Sequence, residues 1–110
     1  MKTVIVLHNE TMGQGDTDLG RKILGTCLRK LNRFADLEAL VLYNAGVKLA
    51  TKDSLFAAEL HQLHENGVDV FVCGTCIEHY GLRDQLIFEH VSSMDEILAT
   101  LQAADKVITL

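Results

Sequence analysis

Apolar residues along this chain follow two alternating rhythms. Unbroken apolar runs such as Val4-Ile5-Val6-Leu7 and Ala39-Leu40-Val41-Leu42-Tyr43 lack helical spacing and mark strands covered on both faces. They predict strands over Lys2 to Leu7 and Leu37 to Tyr43, a third over Val68 to Val72, and a closing one over Lys106 to Leu110. Between them apolar residues recur at helical intervals. Leu19, Ile23, Leu24, Cys27, Leu28 and Leu31 form one stripe of a helix capped by Asp16 or Thr17, which turns Cys27 to the core. A second helix is predicted from Asp53 or Ser54 to Glu65, burying Leu55, Phe56, Leu60 and Leu63 and stopping at the left-handed pair Asn66-Gly67. A short third helix carries Cys76, Ile77 and Tyr80 as far as Gly81, and a weaker strand is read within Gln85 to Phe88. The last helix starts at Ser92 or Ser93, with Ser93 and Glu96 at capping-box spacing and Met94, Ile97, Leu98 and Leu101 as its buried stripe.

Strand and helix alternate, so the expected class is α/β, a parallel sheet with helices on both faces and one domain over residues 1–110. Three loops then share the carboxyl edge of the sheet, where such folds place ligands: His8 to Gly15, Asn44 to Leu49, and Cys73 to Thr75. Composition narrows the partners. A net charge of −5 without clustered Lys and Arg excludes a nucleic-acid backbone as ligand. No apolar run approaches the roughly 18 residues of a membrane span, and the first apolar block is too short for a secretory signal, so a cytoplasmic protein away from membranes is expected. Three cysteines, an odd number, fit reactive or buried thiols better than a disulfide framework.

The chemistry centres on Cys73-Gly74-Thr75-Cys76. Thr75 and Glu78 match a capping box, which would start a helix just beyond Cys73 and lower the pKa of a thiol at its positive end. The motif admits a persulfide carrier, with the amides of Gly74 and Thr75 steadying the terminal sulfur, a dithiol–disulfide couple, or zinc. The dithiol couple of thioredoxin-like proteins has a facing cis-proline, and this chain has no proline. Zinc on Cys73, Cys76 and His79 lacks a nearby fourth ligand, so neither metal nor cofactor is expected. The plain alternative is a pair of buried thiols. His8 and Asn9, at the end of the first strand, are candidates to bind sulfur or help deprotonate Cys73, and Asn44 and Gly46 to offer an amide and a backbone N–H. Lys48 reads as a solvated lysine with the reach to draw an anion, and His61 and His64 as a solvated helix face.

Cys73-Gly74-Thr75-Cys76-Ile77-Glu78-His79-Tyr80-Gly81 resembles the DsrE/DsrF-like sulfur-relay family, above all the DsrE-like domain of YedF proteins linked to selenium metabolism. Thr11 to Asp16 with Leu19-Gly20, Tyr43 to Leu49 and Ala104 to Leu110 carry the same resemblance in the same order. It implies a three-layer α/β/α domain with a five-stranded, mainly parallel sheet, in homo-oligomers such as trimers or hexamers. Leu82, Ile87, Phe88 and Val91 are the candidates for that interface and equally for the core. It also implies persulfide on a cysteine at the end of strand three, eight residues before a glycine, a separation that Cys73 and Gly81 have. Cys76 stands where relay members have alanine and would act as a resolving thiol, releasing sulfide and leaving a disulfide. YedF proteins carry a TusA-like domain ahead of this one, so the expected donor is a separate TusA-like protein or desulfurase. The alternative is a non-catalytic oligomeric subunit or small-ligand binding module of the same fold.

Overall fold

The computed structural model describes residues 1–110. Four parallel strands, β1 (Thr3–Leu7), β2 (Leu37–Leu42), β3 (Asp69–Val72) and β4 (Lys106–Thr109), form one sheet in the order β3-β2-β1-β4. Helices α1 (Thr17–Lys30) and α2 (Ala57–Glu65) make the first two crossovers and touch each other on one face. The connection from β3 passes through α3 (Gly74–Tyr80) and α4 (Met94–Ala103) and runs back to the far edge. A right-handed connection in that opposite direction puts α4 on the other face. The core is aliphatic, built on Val4, Leu7, Leu40, Val41 and Leu42 of the central strands with Leu24, Leu28, Leu60, Leu63, Ile77 and Ile97 from the helices.

The sheet has four strands rather than the expected five. Gln85 to Phe88 spends its hydrogen bonds on the loop before α2 instead: Gln85 O accepts from Lys52 N–H at 2.8 Å, and Ile87 N–H donates to Ala50 O at 2.9 Å. Only Ser92 pairs with the end of β3, as a single parallel bridge to Cys73. The buried face of α1 is also turned from the expected stripe. Gly20, Leu24, Gly25 and Leu28 are buried, while Leu19 is 56% exposed and Ile23 faces solvent, with Cys27 half-buried. The cause is close approach: a Cβ on Gly20 would lie 2.9 Å from the Met12 carbonyl, so the helix presses its glycine side onto the loop after β1.

Helix α2 starts later than expected. Ser54 Oγ accepts from Phe56 N–H at 3.1 Å, which holds a turn ahead of Ala57 and leaves Leu55 73% exposed. Its stop falls as expected, with Gly67 at φ +97°. On α4 only the row of Ile97 and Leu101 meets the core, and Met94 and Leu98 are exposed. The capping box of α4 forms: Glu96 N–H donates to Ser93 Oγ at 3.2 Å, and Ser93 N–H donates to Glu96 Oε1 at 3.1 Å. That Ser93 amide, and next the His90 ring, hold the Glu96 carboxyl below its ordinary pKa. Removing the Ser93 hydroxyl that caps the Glu96 N–H, in Ser93→Ala, is expected to lower the urea midpoint by the equivalent of about 1 kcal/mol at unchanged m-value. No helix is long and apolar enough to cross a membrane.

Candidate functional site

Because all strands run parallel, the loops after β1, β2 and β3 converge at the carboxyl edge. Cys73 leaves β3 in an extended conformation and is the N-cap of α3, which begins at Gly74. The helix starts earlier than a Thr75 cap requires: Thr75 is exposed, and Glu78 turns away to Arg83 at 2.6 Å. Cys76 is therefore the third residue of the helix, and N-cap and third-residue side chains face each other across the first turn. The neighbouring Cys73 thiol acts on Cys76 both as a hydrogen-bond partner and as a charge.

The two thiols meet different surroundings. Cys73 is 3% exposed, while Cys76 is half-buried. Asn44 N–H donates to Cys76 Sγ at 3.0 Å. Asn44 sits at φ +50°, the only non-glycine residue with positive φ, a conformation that asparagine tolerates better than most. Its side chain is held as well, because Tyr80 OH donates to Asn44 Oδ1 at 2.9 Å. Lys48 Nζ lies 4.5 Å from the centre of the Tyr80 ring and 3.6 Å from Glu10 Oε2. Burial pushes the Cys76 thiol above its ordinary pKa; the Asn44 amide pulls it down, and Cys73 raises it again. Cys27, away from the site, is also raised by burial.

The other candidates take separate places. His8 stacks on Tyr43, with ring centres 6.1 Å apart, and Asn9 Oδ1 accepts from Glu10 N–H at 2.8 Å, a turn contact. Neither hydrogen-bonds to a thiol. Gly46 N–H is taken by Tyr43 O at 3.0 Å, so the amide turned to the sulfur is that of Asn44. Gly74 N–H is likewise taken, by Ser92 O at 2.9 Å. His79 packs edge-on against Tyr80, and no three His, Cys, Asp or Glu side chains gather as a metal site. From the sequence Tyr80 is placed on the third helix and Ser92 offered as a cap of the last one, but neither is a site candidate. Tyr80 had a signal, since it lies one helical turn beyond Cys76 on the same face; Ser92 had none, because its place depends on long-range pairing.

The model of the DsrE/DsrF-like family matches residues 1–110. The chain belongs to the DsrE/DsrF-like family. Among solved structures, this DsrE/DsrF-like chain is similar to the YchN protein of E. coli at 20% identity and a TM-score of 0.71, covering 100% of both chains. It is similar to MTH1491 of Methanobacterium thermoautotrophicum, a protein of unknown function, at 19% identity and a TM-score of 0.71, covering 99% of this chain and 98% of that one. BT1422 of Bacteroides thetaiotaomicron, a conserved protein of unknown function, follows at 17% identity and a TM-score of 0.66, covering 99% and 95%. At these identities the likeness shows the DsrE/DsrF-like fold alone. No curated protein matches the chain.

Proposed function

We propose that this protein accepts and relays sulfur, or selenium, as a persulfide on Cys73 with Cys76 as its partner thiol. The DsrE/DsrF-like family is associated with sulfur relay. The observation that carries the reading is the pairing of two free thiols at the carboxyl edge of a parallel sheet, one of them half-buried with a backbone N–H on its sulfur. Burial holds the Cys76 thiol above its ordinary pKa, and the Asn44 amide works against that, toward the anionic form through which sulfur exchange proceeds. The implied partners are a TusA-like protein or desulfurase as donor, an acceptor protein, and further copies of this chain.

The burial of Cys73 favours a second reading, a binding subunit that keeps the fold without turnover. Incubation with a cysteine desulfurase and cysteine, read by intact mass, separates the two. The relay reading expects one added sulfur atom per chain, removed by dithiothreitol. A folded protein that stays unmodified with the desulfurase and with a TusA-like donor sinks the relay and leaves the binding subunit.

A further inference from the structure

The hydroxyl of Ser92 is buried, 2% exposed as a residue, and has no hydrogen-bond partner. A buried hydroxyl left without a partner costs stability, so its retention calls for an explanation. Its position is informative. Ser92 N–H donates to Val72 O at 2.8 Å, and Ser92 O accepts from Gly74 N–H at 2.9 Å, which brackets Cys73 as its bridge partner. Bridge partners on neighbouring strands send their side chains to the same face. The unpartnered donor therefore lies on the same side as the buried thiol, and the half-buried thiol of Cys76 stands beside Cys73 on the solvent side.

We infer that Cys73 and Ser92 form a sheltered store for one sulfane sulfur, which Cys76 loads from the surface. This rests on the relay reading above and assigns its atoms. In the first step the Cys76 sulfur attacks the terminal sulfur of a donor persulfide. The donor's S–S bond breaks, its electron pair leaves on the donor sulfur, and that sulfur takes the proton Cys76 gives up. In the second step the Cys73 sulfur attacks the terminal sulfur now on Cys76. The new S–S bond forms on Cys73, the Cys76 sulfur leaves with the electron pair, and it regains a proton from Cys73. Neither step changes the total oxidation level, so no outside reductant is needed. Ser92 then donates its hydrogen to the stored terminal sulfur, and the surrounding core excludes water and competing thiols.

The test loads the full chain with glutathione persulfide, quenches by alkylation at intervals and locates the sulfur by peptide mass. In the wild type the added sulfur is expected first on Cys76 and then on Cys73. Cys76→Ser should load Cys73 about tenfold more slowly or worse. Ser92→Ala, once loaded, should lose the sulfur on Cys73 to added thiol about tenfold faster than the wild type, the scale of one hydrogen bond to a charged acceptor. The same variant should unfold at an equal or higher urea midpoint, because an orphaned hydroxyl has been removed; a merely structural Ser92 would not combine the two. Wild-type loading of Cys73 in Cys76→Ser overturns the surface step, and an unchanged lifetime in Ser92→Ala overturns the store, while relay itself stands in either case. A wild type that takes no sulfur from this donor, the desulfurase or a TusA-like protein overturns relay and store together.

Discussion

Gly46→Ala is expected to destabilise the protein by about 3 kcal/mol or more, the upper range for forcing atoms into a filled interior. A Cβ at this position would lie 2.1 Å from the carbonyl oxygen of Leu7. That atom is backbone at the end of a central strand and already accepts from Tyr43 N–H at 3.3 Å, so it cannot swing aside as a side chain would. The 3-10 segment Asn44–Ala50 must move instead, and Asn44, two residues before Gly46, carries the amide that meets Cys76. The variant should therefore lose both stability and the ordered surroundings of the thiol, read as a drop in the urea midpoint and an altered Cys76 alkylation rate. Gly13→Ala is the control. Gly13 has a positive φ, +78°, which Gly46 does not, and open space around it, so its substitution meets backbone strain without a clash and should cost only about 1–2 kcal/mol. Equal midpoints for Gly46→Ala and wild type would mean that the loop does not press on β1 as described.

The contrast between Gly46 and Gly20 on one side and the strands on the other explains what the sequence could reveal. The buried runs of β1, β2 and β3 are legible because every residue between two helical layers is apolar, whichever face it points to. The caps Asp16 and Ser93 are legible because they act within one turn. The faces of α1 and α4 are less so. A hydrophobic stripe counts side chains, whereas α1 is seated by glycines that let it approach the loop after β1, and this brought Leu19 and Ile23 out to solvent. Thr75 and Glu78 have the right spacing for a cap, but the pairing of Cys73 with Ser92 fixes where β3 ends, and α3 starts one residue before Thr75. The thiols were found by motif and resemblance. Their division into a buried and an accessible member, and the donors at Asn44, Tyr80 and Ser92, depend on contacts between segments at least 19 residues apart for Ser92 and 32 for Asn44.

That division gives the largest expected difference in reactivity. At pH 7, iodoacetamide should modify Cys76 at least about a hundredfold faster than Cys73, because reaching Cys73 requires a local opening of about 3 kcal/mol. The Cys76 rate should climb about tenfold per pH unit, since only the thiolate attacks and its fraction rises with pH in that proportion below the pKa. As burial holds this pKa above the ordinary 9.0, the climb should continue past pH 9 rather than level off near it. The sign for stability follows from the same shift. A thiol whose pKa is higher in the folded chain contributes stability that is fully present below the ordinary thiol pKa and is lost as pH rises through the folded value. Tyr80→Phe frees the Asn44 side chain while keeping the ring under Lys48, so it should loosen the amide on Cys76 and push the rise to still higher pH. A Cys76 rate already level at pH 7 would show a ready-made thiolate, and the sulfur would then need no donor docking to enter. Faster modification of Cys73 than of Cys76 would place the accessible thiol at the strand end and remove the basis for assigning the surface step to the helix.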